Sequence, residues 1–245
     1  MFRANAEMDR STGGARVRDG VVAEGIAKRF GRKWALRGAS FRAAPGSVLA
    51  LMGHNGSGKT TLLRIMATSL RPTRGGGSVF GLDLVRDADE IRGHVGVLYH
   101  AAGLYGDLTA RENLEFSRRM WGGQTAASVD EALERVGLAH AADERAAGFS
   151  SGMTRRLAVA RLVLRPARLL MLDEPYASFD TDGIELVHGI VRETAARNGI
   201  VLIATHDLER SSAVVDGVLR LRAGRVEAEE ASPGAGIRLA AEGAR

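Results

Sequence analysis

Short, uninterrupted apolar runs recur along the chain and are separated by stretches with helical periodicity. Four of these runs lie at residues 47–52, 94–99, 167–173 and 199–205. A run without polar alternation is typical of a strand that is buried on both faces of a sheet. Because helical stretches separate the runs, we predict an α/β fold with a mostly parallel sheet.

The segment LTARENLEF carries a clear helix boundary. Thr109 and Glu112 have the spacing of a capping box, in which each side chain accepts a hydrogen bond from the backbone N–H of the other residue. The apolar positions Leu114 and Phe116 follow. We therefore expect a helix to begin near Ala110.

The chain of 245 residues is long enough for one large α/β domain with insertions, and no internal repeat is visible. Its two ends, residues 1–20 and 229–245, lack hydrophobic periodicity. Segments of this kind bury too little apolar surface to fold by themselves. We predict that both ends are flexible extensions.

Charge and composition narrow the possible functions only a little. The 34 basic and 29 acidic residues leave a formal charge of +5, and both signs are interspersed, so nucleic-acid binding is only weakly supported. The chain has no cysteine, which excludes disulfides and thiolate metal sites. It shows no apolar leader and no run near the ~18 residues that a membrane span needs, so we expect the chain by itself to be soluble.

The segment LALMGHNGSGKTTLLRIM contains the strongest chemical signal, because an apolar strand, a glycine-rich loop and a helix follow one another. Its glycines, lysine and threonine fit the phosphate-loop pattern. Glycines allow backbone N–H groups to surround an anion, and the helix N-terminus adds partial positive charge. We expect Lys59 to contact the β and γ phosphates of a nucleotide and Thr60 to bind Mg²⁺. The candidate nucleotide-binding residues of this segment are Gly53, His54, Asn55, Gly56, Ser57, Gly58, Lys59, Thr60 and Thr61.

Acidic and polar residues follow two further apolar runs. Asp173 ends the run LLMLD and is placed to bind Mg²⁺ directly or through water, and Glu174 is placed to orient and deprotonate an attacking water. His206 follows the next run, where it could meet the γ-phosphate. The alternatives are an acidic turn closed by Pro175 and a histidine that is merely satisfied by hydrogen bonds. These features predict a P-loop nucleotidase: a transporter motor, a DNA-repair ATPase, a GTPase or a small-molecule kinase.

The segment FSSGMTRRLAVARLVL separates these classes, because it resembles the signature of the ATP-binding cassette (ABC) family, which usually reads Leu-Ser-Gly-Gly-Gln. Ser150 and Gly152 match that signature, whereas Phe149, Ser151 and Met153 differ from it. Ser150 and Ser151 are good N-cap residues for a helix whose free N–H groups would bind the γ-phosphate held by a second copy of the domain. An ordinary capped amphipathic helix is the alternative.

The resemblance to the ABC family extends over most of residues 21–228. It implies that Phe30 stacks on adenine, with a core aromatic as the alternative, and that Asp180 belongs to the loop that couples two ATP sites. The implied fold is a P-loop NTPase with a RecA-like core, a small antiparallel β subdomain and an inserted α-helical subdomain at roughly residues 101–160.

The resemblance also implies cofactors and partners. An ABC ATPase binds ATP and Mg²⁺, pairs with a second cassette, here expected to be an identical chain, and drives separate transmembrane permease subunits. We therefore expect a cytoplasmic chain that is peripheral on the inner face of the cell membrane. No nucleic-acid partner is expected, because ABC relatives that act on nucleic acid usually carry coiled coils, zinc modules or a second cassette, for which this chain has no room.

His100 indicates which subfamily of ABC ATPases the chain resembles. It stands where the family usually has a glutamine, in a loop that senses Mg²⁺ and touches the membrane subunit, so we expect it to act on Mg²⁺ through a metal-bound water. The surrounding stretch YHAAGLYGDLTARENLEF resembles the cytochrome c biogenesis haem-exporter ATPases, whose signature often has a small residue where Ser151 stands. Haem export is the first expectation. Antibiotic or lipid efflux and a non-transport role linked to nucleic acid are the alternatives.

Overall fold

A computed structural model describes residues 20–99, 102–123 and 125–228. Within these ranges the chain forms ten β-strands and six α-helices. The strands are β1 (Val21–Phe30), β2 (Lys33–Ala43), β3 (Val48–Met52), β4 (Arg74–Val79), β5 (Leu82–Asp83), β6 (Val95–Leu98), β7 (Leu169–Asp173), β8 (Ile200–Ala204), β9 (Gly217–Arg222) and β10 (Arg225–Ala228). The helices are α1 (Lys59–Met66), α2 (Ala88–His94), α3 (Ala110–Met120), α4 (Val129–Arg135), α5 (Ser151–Leu164) and α6 (Thr181–Ala196).

The predicted extensions lie outside the described residues, apart from Gly20. The backbone oxygen of Gly20 accepts a hydrogen bond of 2.7 Å from the N–H of Phe80, and Gly20 is buried. Gly20 is therefore hydrogen-bonded to the residue that follows β4.

The central sheet has six strands in the order β10-β9-β3-β8-β7-β6. All pairings between β9 and β6 are parallel, and only β10 joins antiparallel. The four apolar runs form β3, β6, β7 and β8, so the prediction of a mostly parallel sheet is confirmed. β6 is an edge strand, which explains why most of its residues are only half-buried.

Both faces of the central sheet are covered, as the apolar runs predict. On β7, Leu170 and Leu172 belong to one hydrophobic cluster, whereas Leu169 and Met171 belong to the other. Successive side chains of a strand point to opposite faces, so a strand between two clusters must be apolar at every position. This explains why the sequence of β7 shows no polar alternation.

One face of the sheet packs with α1, α2 and a second, antiparallel sheet. That sheet has four strands in the order β2-β1-β4-β5. Phe41 and Ile26 are fully buried and share a cluster with Leu49 of β3 and Leu63 of α1. The antiparallel sheet therefore packs onto the strand and helix that flank the glycine loop.

The other face packs with helices α3 to α6. The capping box at Thr109 and Glu112 is present and α3 begins at Ala110, so this prediction is confirmed. Leu114 is fully buried, but Phe116 is 40% exposed and lies edge-on to Tyr105, with 4.9 Å between the ring centroids. Only one stripe of a surface helix faces the core, and Phe116 lies outside it. The longest helix has 16 residues, and none in the described ranges is long and apolar enough to cross a membrane.

Candidate functional site

A cleft of about 450 Å³ opens at the carboxyl edge of the central sheet. β3, β7 and β8 run parallel and end there, and the glycine loop, Glu174 and His206 follow these three ends. Ligands of open α/β sheets bind at this edge. The residues that line the cleft are Phe30, Lys33, Ala35, Asn55, Gly56, Gly58, Lys59, Thr60, Thr61, Asp173 and Glu174.

The ammonium group of Lys59 lies inside the glycine loop. Its Nζ donates to the backbone oxygen of Gly53 at 2.7 Å and approaches that of His54 at 3.4 Å. Lys59 is only 7% exposed, so its charge is held close to the loop. Gly58 precedes α1 with a φ of 109°, and a Cβ at this position would lie 2.6 Å from the backbone oxygen of Ala35. The loop can approach β2 this closely only because residue 58 is glycine.

Ser57 provides a test of whether the loop fits a phosphate group. Its side chain is buried, and its Oγ has no hydrogen-bond partner among the described residues. A buried hydroxyl without a partner is uncommon in folded proteins. The free N–H groups at the start of α1 and the ammonium of Lys59 favour an anion at the same place. These features together fit the phosphates of a nucleotide.

Thr60 and Asp173 bring two hard oxygen ligands together. Thr60 Oγ1 donates to Asp173 Oδ2 at 2.8 Å, and Asp173 is 5% exposed. Mg²⁺ prefers oxygen ligands and usually combines few protein oxygens with water and substrate phosphates. Within the described ranges no cluster of three or more His, Cys, Asp or Glu residues forms a metal cage. The pair therefore fits a Mg²⁺ ion that the substrate helps to bind.

Glu174 sits in a constrained backbone conformation beside this pair. Its φ is 47°, a left-handed value that is unusual for a residue other than glycine. Its N–H donates to the oxygen of Ala204 at 2.8 Å. Its Oε1 lies 2.9 Å from Nδ1 of His206, and its Oε2 lies 3.4 Å from the hydroxyl of Thr205. Contacts from the end of β8 thus hold the carboxylate next to the cleft.

Phe30 occupies the rim of the cleft at the end of β1. Its ring is 51% exposed, with the ammonium of Lys28 5.3 Å from the ring centroid. Trp34 is nearby in sequence, but the guanidinium groups of Arg29 and Arg74 lie 5.6 and 5.9 Å from its ring. Of these two aromatic residues, Phe30 lines the cleft and Trp34 does not, so Phe30 presents the surface on which a base can stack.

A second group of predicted site residues lies outside the cleft lining. The Ser150 hydroxyl accepts the N–H of Met153 at 3.2 Å and caps α5, which confirms its predicted role as a cap. A Cβ at Gly152 would lie 3.5 Å from the backbone oxygen of Ser178, so the signature segment borders the loop before α6. These residues form a separate surface at the N-termini of α5 and α6.

Asp180 belongs to this second surface. Its Oδ1 accepts the N–H of Gly183 at 2.8 Å and the guanidinium of Arg156 at 3.1 Å. The Gly183 hydrogen bond, followed by the charge of Arg156, lowers the pKa of the Asp180 carboxyl from its ordinary value. In the isolated chain Asp180 caps α6 and contributes nothing to the lining of the nucleotide cleft.

His100 lies outside the described residues. Sequence reasoning did not single out Lys33 and Ala35, which line the cleft from β2. It also missed Thr205 and Arg155, which contact Glu174. The signal for Thr205 is its place between a buried strand and His206, where a small hydroxyl residue reaches the same edge of the sheet.

Comparison with known proteins agrees with this architecture. The sequence profile described as ABC transporter matches residues 36–177. The chain is 39% identical over 212 residues to the daunorubicin resistance ATP-binding protein DrrA3 of Streptomyces coeruleorubidus, covering 85% of this chain and 67% of that protein. It is 38% identical over 198 residues to the cytochrome c biogenesis ATP-binding export protein CcmA 2 of Cupriavidus metallidurans, covering 80% and 94%.

A solved structure shares the fold. It is the dimeric post-hydrolysis state of the ATP-binding cassette MJ0796 bound to ADP and Pi, with a TM-score of 0.77 and 23% identity. The similarity covers 87% of this chain and 99% of that one.

Proposed function

The chain belongs to the ABC transporter family, and from this membership we propose that it is the ATP-hydrolysing subunit of an exporter that drives a separate membrane-spanning subunit. One observation carries the proposal: the Lys59 loop, the Thr60 and Asp173 pair and the Glu174 and His206 pair meet at one edge of the central sheet. Phosphate binding, metal binding and water activation require these three groups to be adjacent.

The cleft supports a defined orientation for ATP. Adenine stacks on Phe30 at the rim, and the phosphates lie in the loop of residues 53–61, with Lys59 contacting the β and γ phosphates. Thr60 and Asp173 would hold Mg²⁺, and His100 would act on the ion through water. When bound, the ion neutralises charge on the phosphate oxygens.

Glu174 is the group that activates water. As the water oxygen bonds to the γ-phosphorus, the bond from that phosphorus to the bridging oxygen breaks, and a proton of the water passes to the Glu174 carboxylate. His206 orients that carboxylate from one side, at 2.9 Å, and is itself well exposed at the mouth of the cleft. The contact supports a role for His206 in aligning Glu174 and in meeting the γ-phosphate.

A second copy of the chain completes the site. Ser150, Gly152 and Asp180 are proposed to act on ATP held by this second chain, because they lie at two exposed helix N-termini and outside the lining of their own cleft. Helix N-termini favour anions such as the γ-phosphate. The dimeric structure of the cassette MJ0796, which shares this fold, supports the pairing of two such chains.

The partner in the membrane is a permease subunit, and the chain is bound to it on the cytoplasmic face. Export as the direction is supported by the relative CcmA 2, which is named as a cytochrome c biogenesis export protein. We propose haem as the cargo, on the motifs of residues 99–116 and the match to CcmA 2. Antibiotic efflux is the second candidate, because the match to DrrA3 is equally strong.

An experiment with inverted membrane vesicles separates these cargoes. The chain is co-expressed with its membrane subunit, and ATP-dependent accumulation of haem and of daunorubicin is measured, with Glu174→Gln as the inactive control. Accumulation of haem alone supports the first candidate, and accumulation of daunorubicin alone supports the second. If Mg²⁺ removal by EDTA leaves hydrolysis intact, the proposed metal site is wrong.

A further inference from the structure

Arg155 is an arginine whose location the sequence does not predict. It lies in the second turn of α5, next to Arg156, in a helix whose charged positions are expected to face solvent. Arg156 is partly exposed and contacts Asp180, whereas Arg155 is only 5% exposed. A buried guanidinium is costly unless its N–H groups find acceptors.

The guanidinium of Arg155 finds acceptors on two different strand ends. Its Nη1 donates to the backbone oxygen of Tyr99 at 2.6 Å, directly after β6. Its Nη2 donates to the oxygen of Asp173 at 3.2 Å and to that of Glu174 at 2.7 Å, at the end of β7. Burial lowers the pKa of Arg155, while the charges of Asp173 and Glu174 raise it. An arginine nevertheless remains protonated in a protein, so all of these contacts are charge-assisted.

The contacts to Asp173 and Glu174 coincide with the strained backbone at Glu174. In an extended strand the backbone carbonyls of consecutive residues point in opposite directions, so a single donor does not reach both. Here both carbonyls reach the same Nη2 atom, and the departure from extended geometry is the φ of 47° at Glu174. A left-handed conformation at a residue with a side chain persists only where its surroundings hold it. In the peptide between Asp173 and Glu174, the carbonyl oxygen accepts from Arg155 and the N–H donates to Ala204.

We propose that Arg155 is a positioning residue for ATP hydrolysis, which holds the main chain of Glu174 in the conformation that aims its carboxylate at the attacking water. The planar guanidinium is suited to this task because its separate N–H groups span carbonyls of two strands at fixed angles. The acceptors of Arg155 at Tyr99, Asp173 and Glu174 are backbone oxygens, and two of them flank the strained residue, so we place its effect on hydrolysis through the main chain of Glu174. The inference rests on the proposed role of Glu174 as the base.

Two substitutions of Arg155 distinguish the effect of the shape of the guanidinium from the effect of its charge. Arg155→Gln removes the charge and shortens the side chain, whereas Arg155→Lys keeps a charge but concentrates its donors at one point. In purified full-length protein, we expect kcat of Arg155→Gln to fall at least about tenfold, within the ~100-fold that an ångström-scale misplacement can cost. We expect the dissociation constant of a fluorescent ATP analogue to change less than about threefold, because the phosphate loop is untouched. Arg155→Lys is expected to recover part of the lost kcat.

Arg165→Gln is the matched control. Arg165 follows the same helix and also donates to a backbone carbonyl, that of Gly93, but at the opposite end of β6. We expect wild-type kcat for this variant, whatever its effect on thermal stability. If Arg155→Gln does not fold, Arg155→Lys is compared with Arg165→Lys in the same assays.

A double-substitution cycle with Glu174→Gln tests whether Arg155 acts through Glu174. If it does, Arg155→Gln has no further effect on the slow single-turnover hydrolysis that the Glu174→Gln variant retains. An equal loss of turnover in both backgrounds, or a wild-type kcat in both Arg155 variants, overturns the inference. A loss of ATP affinity as large as the loss of kcat also overturns it. Near wild-type turnover of Glu174→Gln alone instead indicates that the proposed function of Glu174 is wrong.

Discussion

Nδ1 of His206 lies 2.9 Å from Oε1 of Glu174, and this contact joins the ends of two adjacent strands, β8 and β7. The two residues are distant in sequence, but parallel strands place their carboxyl ends side by side. The hydroxyl of Thr205 lies 3.4 Å from the other carboxylate oxygen, so both oxygens of Glu174 have neighbours from β8. Contacts from the end of β8 therefore define the orientation of the carboxylate.

Glu174→Gln is expected to abolish steady-state hydrolysis while ATP binding persists. The amide preserves the shape of the carboxylate but cannot accept a proton from water. ATP should therefore trap a dimer, which size-exclusion chromatography with light scattering would detect. Glu134→Gln, at an exposed position of α4, is the control and should hydrolyse ATP normally. Single-turnover hydrolysis near the wild-type rate in Glu174→Gln would contradict the assignment.

Lys59→Ala is expected to weaken ATP binding itself. Lys59 is the charged group inside the phosphate loop, with its Nζ 2.7 Å from the oxygen of Gly53. A hydrogen bond to a charged group contributes roughly 1.5–3 kcal/mol, so the dissociation constant for ATP should rise about 10- to 100-fold. Titration calorimetry measures this change. Lys59→Arg should not restore full affinity, because a planar guanidinium is not equivalent to a compact ammonium. Unchanged affinity in Lys59→Ala would refute this description of the loop.

Asp180→Asn is expected to reduce stability in a pH-dependent way. The pKa of Asp180 is lowered in the folded state by the N–H of Gly183 and by Arg156. A carboxyl with a lowered folded-state pKa stabilises the fold above its unfolded pKa, and this contribution is lost as the pH falls through the folded value. Asparagine still caps a helix, so the substitution isolates the charge. Urea unfolding should show wild type more stable near neutral pH, and the difference from the variant should shrink as the pH falls below the ordinary pKa of an aspartate. A difference that is independent of pH would argue against this origin.

Thr109→Ala is expected to destabilise the fold by about 1 kcal/mol. The Thr109 hydroxyl accepts the N–H of Glu112 at 3.1 Å, and the Glu112 carboxylate accepts the N–H of Thr109 at 2.8 Å. Alanine removes the first of these bonds and leaves an unsatisfied donor at the start of α3. Thr109→Ser keeps a hydroxyl and should retain most of the stability, which chemical unfolding can measure. Equal losses in the two variants would show that the methyl group, and not the cap, is responsible.

Local sequence patterns were sufficient for several elements of this protein. The phosphate loop, the capping box at Thr109 and the four buried runs could be predicted because each depends on residues that are close in sequence. Spacing of glycines, caps and apolar positions sets local backbone geometry directly. The carboxyl ends of the runs also placed Asp173, Glu174 and His206 at one edge, because parallel strands align their ends.

The sequence by itself therefore determined the four buried strands, the phosphate loop, the start of α3 and the strand ends at which the chemistry takes place. Only the tertiary structure decided that Arg155 is buried and that Phe116 is exposed, although helical pattern favoured the opposite for both. It also decided that Phe30, which the resemblance had implied as the adenine contact, is not a core aromatic but lines the cleft, and that Lys33 and Ala35 of β2 contribute to it. These features depend on which distant segment packs against each side chain, here β6 and β7 against α5 and the antiparallel sheet against β3. Such contacts come from burial of apolar area summed over the whole fold, which no short stretch of sequence encodes.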